Sequence, residues 1–290
     1  MSWKSIIFSN PAKLYVKNRQ LVCETDEIVT IPVEDISTII LDNHQISITN
    51  YFLSMCAEYN ITVFTCDIKH KPIGILTPYF QHSRNTKIAF SQINMKEPLK
   101  KKLWQKIVKQ KIVNQSRVLK TLFQNDELDF YINKVQSGDT KNVEAQAAKR
   151  YWQFLFDDFK RHESDIHNCA LDYGYAILRG TLAKYVSSSG LIPCFGIHHC
   201  NELNSFNLVE DLIEPFRPFV DLMVYEMEFI DEENLDKEDK LFLLSVLNKQ
   251  CLYKNEQITI QNACDNVCKT FVKAIIDNDY NKLELPHFTD

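Results

Sequence analysis

The sequence predicts an α+β protein in which a small N-terminal β-rich domain precedes a larger, all-helical one. Three observations carry this expectation. The first eighty or so residues hold short runs of Val, Ile, Thr and aromatic residues separated by turn residues. From Leu99 onward, apolar residues recur at helical spacing almost to the end. Between the two, Pro78 to Asn94 mixes Pro, Gln, His, Ser, Arg and Asn without a clear period, as a connection does. The expected division is a β-rich domain at residues 1–80, a linker at 81–94 and a helical domain at 95–290.

Element by element, strands are expected at Ser5 to Phe8, Lys13 to Val16, Leu21 to Glu24, Ile28 to Ile31, Ser37 to Leu41 and Ile61 to Thr65. Their tight spacing, with turns such as Lys17-Asn18-Arg19, suggests small antiparallel sheets. One helix interrupts them: Thr49 or Asn50 can cap it, Tyr51, Phe52, Met55, Cys56 and Tyr59 share a face, and Asn60 ends it. Past the linker, Leu99, Leu103, Trp104, Ile107, Val108, Ile112, Val118, Leu119 and Leu122 form the apolar stripe of a long helix whose other face carries lysines. Ser137-Gly138-Asp139 is a break, and Val143 to Phe156 is a second helix. Ser164 can cap a third, running to Ser187-Ser188-Ser189-Gly190, within which Gly174 and Gly180 imply close backbone packing. Later helices are expected over Leu222 to Ile230, Lys237 to Leu247 and Gln261 to Ile276.

Composition narrows the class. The 290 residues carry a net charge of −5 and enough apolar residues for sizeable cores. No apolar run approaches the roughly 18 to 20 residues of a membrane span, and the start lacks the apolar core of a signal peptide, so a cytoplasmic setting without membrane contact is expected. The nine cysteines are scattered, which fits reduced thiols rather than a disulfide framework. Charge is polarised: Lys100, Lys101, Lys102, Lys106, Lys109, Lys111 and Arg117 form a basic block, and Glu226 to Asp239 an acidic one. The acidic block reads as a solvated face; the basic one is dense enough to face phosphates.

Candidate chemistry concentrates between Pro193 and Asp221, where His198 and His199 precede Asp211 and Glu214. An imidazole and carboxylates meeting at one point can hold a divalent cation. Asp211 and Glu214 are three residues apart and share a face if helical, and without a cation or basic partner they would repel. Each has a plainer reading: Asp211 as an exposed helix acid, either histidine as a half-buried hydrogen-bonding group. Glu144, opening the second helix before the small Ala147 and Ala148, is the best third acid.

Four motifs in order resemble a known family. Glu144-Ala-Gln-Ala-Ala-Lys-Arg-Tyr-Trp, Leu171-Asp-Tyr-Gly-Tyr-Ala-Ile-Leu-Arg179, Gly190-Leu-Ile-Pro193 with Gly196-Ile-His-His199, and Asp211-Leu-Ile-Glu-Pro-Phe-Arg-Pro218 are similar to those of the CRISPR-associated Cas-one adaptation integrases, in a type II-like branch. Ala145 stands where that family often has Gly, and Asp172 where it often has Asn. The resemblance implies that Glu144, His199 and Glu214 are catalytic ligands of Mg²⁺ or Mn²⁺, with Asp211 as a supporting acid. His199 is preferred to His198 by counting back from the Glu-Pro-Phe-Arg-Pro acid.

The same resemblance implies spacer acquisition: the 3′-hydroxyl of a short captured DNA attacks a phosphodiester at a CRISPR repeat border by transesterification. It also implies a homodimer formed mainly through the β domain. Two dimers would flank a dimer of the smaller Cas-two protein in a heterohexamer holding double-stranded DNA, with the type II effector nuclease as a further partner. Lys149, Arg150 and Arg217 are DNA-binding candidates by proximity to the motifs, and Lys101, Lys102, Lys106 and Lys109 by their place on the basic helix. Two other readings compete. One is a non-catalytic DNA-binding adaptor with structural zinc on Cys194, His198, Cys200, Cys264 and Cys268, whose spacing argues against it. The other is a metal-dependent DNase that only hydrolyses.

Overall fold

The computed structural model describes residues 4–77, 84–156, 159–161, 165–231 and 233–289. The N-terminal region contains β1 (Lys4–Phe8), β2 (Lys13–Lys17), β3 (Gln20–Glu24), β4 (Ile28–Pro32), β5 (Ile36–Leu41), β6 (Ser47–Ile48), α1 (Asn50–Glu58), β7 (Thr62–Cys66) and β8 (Pro72–Leu76). Thr49 caps α1 by accepting from the amide of Phe52. Two four-stranded sheets result, ordered β1-β5-β7-β8 and β4-β3-β2-β6.

The expected small antiparallel sheets are corrected in one respect. β2, β3 and β4 are an antiparallel meander, but β1, β5 and β7 pair in parallel. The reason is the crossover: β5 reaches β7 through α1, and such a unit returns the chain to a parallel neighbour. β8 was not expected, because Pro72 at its start and Gly74 at its centre suppress the strand pattern.

All six residues of β5 are buried, which marks a strand covered on both faces. Ile39, Leu41 and Val63 face a core with Leu14, Leu21, Val33 and Phe52. Ile40, Phe64 and Cys66, one residue out of phase, join the larger core of the helical region.

That region contains α2 (Asn85–Ile93), α3 (Glu97–Phe123), α4 (Asp129–Ile132), α5 (Val143–Leu155), α6 (Ile166–Ser188), α7 (Asn207–Ile213), α8 (Arg217–Tyr225), α9 (Lys237–Leu244), β9 (Gln250–Tyr253), β10 (Glu256–Thr259) and α10 (Ile260–Ile276). Helix α2 occupies much of the stretch expected as a linker; only Ile88 and Gln92 are buried on it, too few to print a period. Residues 78–83 of that stretch, and the expected cap Ser164, lie outside the described residues. Asp165 caps α6, accepting from the amide of Asn168. The helix expected from Leu222 to Ile230 instead starts at Arg217 and ends at Tyr225. The β9–β10 hairpin was not expected either; its Lys254-Asn255 turn has φ of 51° and 66°, the double left-handed geometry that closes two-residue hairpins.

The β-rich region seats on α6. A Cβ added at Gly180 would lie 2.0 Å from Cε1 of Phe64, so the glycine lets β7 approach the helix. Gly180→Ala should therefore destabilise the chain by about 1–3 kcal/mol despite its better helix propensity, and Phe64→Leu should recover part of the loss. Urea unfolding measures both. A neutral Gly180→Ala would mean that the helix and strand do not touch there.

Candidate functional site

Glu144 is presented by the start of α5. Both carboxylate oxygens of Asp139, in the turn before it, accept the amides of Val143 and Glu144 at 2.9 Å, which fixes the first turn and the carboxylate it projects. Glu214 comes from elsewhere: α7 passes at Ile213 into a 3-10 turn, Glu214–Phe216, before α8. Asn114 of α3 holds that turn by donating to the carbonyl of Pro215 at 2.7 Å and to that of Pro286 at 3.0 Å.

The two carboxylates converge on one nitrogen. Lys111, one helical turn before Asn114, has Nζ 2.6 Å from Oε1 of Glu144 and 2.5 Å from Oε2 of Glu214. The other Glu214 oxygen accepts from Nε of Arg217 at 2.8 Å. Arg217 also meets Glu210 at 3.2 Å, and Glu210 meets Arg179 at 2.6 Å. Burial would push the Glu214 carboxyl up, but the Arg217 and Lys111 charges pull it down to about 2. Burial would likewise lower Lys111, yet the two carboxylates keep it above its ordinary range.

His199 enters from the loop after α6, and Asp211 builds that loop. Asp211 is fully buried. Its carboxylate accepts the amides of Ile197, His198 and His199 at 2.6, 3.2 and 3.1 Å, and lies 2.7 Å from Nδ1 of His199. A carboxylate in that position accepts a hydrogen bond from Nδ1–H, which favours the tautomer with an unprotonated Nε2. The contact with Asp211 also raises the His199 pKa above its usual value. Gly196 is required for this wrap, since a Cβ there would meet the His199 carbonyl at 2.3 Å and Oδ2 of Asp211 at 2.7 Å. The plainer reading of Asp211 as an exposed helix acid is thus overturned: the loop closes over it. His198 stacks on Trp104 of α3, with ring centroids 4.1 Å apart. Gln92 of α2 pins the loop's beginning, exchanging hydrogen bonds with Ile192 at 2.9 and 2.8 Å.

The structure thus brings Glu144, Glu214 and Arg217 to one place, and sets His199, held by Asp211, edge-on to Trp104 of the helix α3 that carries Lys111. Arg150 turns away into a double contact with Glu127, and Lys149 is exposed on α5. Lys102 and Lys106 face the chain near its C-terminus, over the ring of Tyr280 and at the carbonyl of Asn281. Lys101 is exposed and Lys109 half-buried on the same helix. Cys264 and Cys268 lie in the helical core, where burial pushes both thiols up and away from the thiolate that zinc needs.

Sequence reasoning missed Lys111, Asp139, Asn114, Gln92 and Trp104. A signal existed for Lys111 and Asn114: both fall in phase with the buried stripe through Trp104, Ile107 and Val118, where a polar residue needs a partner.

The donor set fits a divalent cation. Among the described residues no three His, Cys, Asp or Glu side chains already form a metal cage. Yet Glu144 and Glu214 share one positive atom, and Oε2 of Glu214 is buried with no aligned hydrogen bond. Glu144, Glu214 and Nε2 of His199 would be the ligands.

Behind Arg217, whose guanidinium lies 4.6 Å over the Tyr175 ring, sits a buried acid, Asp221, that accepts from the Tyr175 hydroxyl. Burial pushes it up to about 7, against the tyrosine hydroxyls and the Arg217 and Lys111 charges. A carboxyl whose folded pKa exceeds its unfolded one binds its proton more tightly in the folded state. Stability therefore falls as pH rises through that window. Asp221→Asn should reduce the loss of stability between about pH 4 and pH 7 by roughly 2–4 kcal/mol. Equal pH slopes in denaturant unfolding of the two proteins would contradict this.

Comparison with known proteins gives a consistent set of likenesses. The family described as CRISPR associated protein Cas1 matches residues 5–246. A CRISPR-associated endonuclease Cas1 of Neisseria meningitidis serogroup C (strain 8013) is 40% identical over 295 residues, covering 99% of this chain and 96% of that protein. Among solved structures, a chain described as a casposase bound to integration product superposes with TM-score 0.79 at 20% identity, covering 97% of this chain and 93% of that one. A chain from a Cas6-RT-Cas1–Cas2 complex does so with TM-score 0.73 at 18% identity, over 97% of this chain and 36% of that one. At such identities the structural likenesses establish the fold, a β-rich N-terminal region followed by a helical domain. Among the described residues no helix is long and apolar enough to cross a membrane.

Proposed function

This chain belongs to the CRISPR-associated Cas1 family, and from that premise we propose that it is a metal-dependent DNA endonuclease and integrase of CRISPR adaptation. Its reaction is insertion of short DNA fragments into a CRISPR array by transesterification. The observation that carries this reading is the convergence of Glu144 and Glu214, from separate helical segments, on a single cationic atom, with His199 held by a buried carboxylate on a loop that packs against the same helix α3. The 40%-identical relative is named an endonuclease, and one neighbour in fold is described as a casposase bound to integration product.

Glu144, His199 and Glu214 hold the metal in this reading. Bound there, a divalent cation supplies Lewis acidity at the phosphoryl oxygen and stabilises the attacking or leaving oxygen. An imidazole ligand favours Mn²⁺ in affinity, and two carboxylates also accept Mg²⁺. The chain's own groups prepare the place: Arg217 clamps Glu214, Asp211 fixes the His199 tautomer, and Asp139 sets the direction of Glu144. Lys149, exposed on the helix that opens with Glu144, can meet a target phosphate. The partners are a second copy joined through the β-rich region, the smaller Cas2 protein in a heterohexamer, double-stranded DNA, and the type II effector nuclease.

Strand transfer of a short duplex into a plasmid carrying a CRISPR repeat, with Cas2 and Mn²⁺ or Mg²⁺, tests the function. Covalently joined products are expected. Cleavage of DNA without any joining would replace the integrase by the purely hydrolytic nuclease.

A further inference from the structure

The lysine at the centre of the site is not explained by holding a metal, because it stands where one would go. Its ammonium is within 2.6 Å of one carboxylate and 2.5 Å of the other. A divalent cation takes the same oxygens at about 2.0–2.2 Å, so both cannot be accommodated between them. Charge balance points the same way. The two carboxylates, Glu144 and Glu214, already face two cations, Lys111 and Arg217. Two further positive charges require either that one cation leave or that anions arrive.

We propose that Lys111 is a displaceable counter-cation: it holds the two carboxylates together while DNA is absent, and a DNA phosphate draws it off to admit the metal. The inference rests on the metal-site reading of Glu144 and Glu214. Lysine suits this task better than arginine, being a point charge on a flexible four-carbon stem that can swing between a carboxylate and a phosphate. In the metal-site reading the phosphate that reacts must come to the two carboxylates that Lys111 bridges, so an anion able to take the ammonium arrives with the substrate. Without the metal the ammonium neutralises both carboxylates, and the divalent cation is admitted only where substrate is present. Metal and DNA binding then become linked, each strengthening the other by the same factor.

Mn²⁺ titration of the full-length protein, followed by loss of the free Mn²⁺ electron paramagnetic resonance signal, reads this without reference to catalysis. Wild-type protein should bind Mn²⁺ about tenfold more tightly with a short duplex present than without it, within the range such couplings take. Lys111→Met should bind tightly in the absence of DNA and gain little from the duplex. Its melting temperature should be low without Mn²⁺ and recover on addition. Unchanged or weaker Mn²⁺ affinity in Lys111→Met, or the same gain from DNA in both proteins, overturns the proposal. Should Lys111→Met not fold, the wild type still decides: Mn²⁺ must tighten duplex binding by the factor by which duplex tightens Mn²⁺, and no coupling overturns it. Glu214→Gln separates the two levels. If it leaves wild-type Mn²⁺ affinity intact, the metal-site reading itself fails; if it removes binding while Lys111→Met changes nothing, only the role of Lys111 fails.

Discussion

Replacing His199 with alanine is expected to lower strand joining by two to three orders of magnitude or more, the scale on which loss of one principal charge-stabilising group acts. The imidazole is half exposed and gives Asp211 one contact, while the three backbone amides that also bind this carboxylate remain, so the loop should survive the change. Circular dichroism and a melting curve close to wild type are the accompanying expectation. His198→Ala should act differently: it removes the stack on Trp104 and loosens the loop, so joining should fall by less and thermal stability by more. Equal loss of joining in both variants would mean that the two imidazoles share the ligand role. Full activity in His199→Ala would remove it from the site. Glu214 gives a harsher but less clean test, because its removal leaves Lys111 and Arg217 buried without their shared carboxylate.

Lys240→Ala should be the most destabilising substitution away from the site, costing about 3–5 kcal/mol, the range for breaking a buried ion pair by removing one partner. Asp42 directly follows β5 and is almost wholly buried. Lys240 of α9 meets one of its oxygens at 2.8 Å and Nδ1 of His70 the other at 2.9 Å. The pair ties the edge of the β-rich region to a helix nearly two hundred residues further along. Asp42→Asn combined with Lys240→Met should restore much of the stability, because the cost lies in the stranded charge rather than in a lost attraction. Denaturant unfolding of the single and double variants measures this. A loss below about 1 kcal/mol in Lys240→Ala would mean that solvent reaches Asp42, the situation of surface pairs.

Legibility in the sequence followed burial on one regular face. α3, α5, α6 and α10 were readable because long apolar stripes repeat through them, and β5 and β7 because both faces are covered. α2 was not, since its inward contacts are made by Ile88 and the polar Gln92. β8 and the β9–β10 hairpin were hidden by a proline, a glycine and a Lys-Asn turn that carries no glycine. In the site, Glu144, His199, Asp211 and Glu214 could be picked from motif order and spacing. The part of Asp211 could not, because three amides in a loop leave no trace in residue type. Lys111 was visible as one of many lysines on a basic helix; only its phase against Ile107 and Val118 distinguished it, and the charge of its neighbours masked that phase.

Anomalous diffraction at the manganese edge, from crystals of the protein grown with a short duplex and Mn²⁺, tests the central claim most directly. A single peak bounded by Glu144, Glu214 and Nε2 of His199, with the Lys111 ammonium moved off the carboxylates, is the predicted result. Manganese bound elsewhere while Lys111 still bridges Glu144 and Glu214 would contradict it.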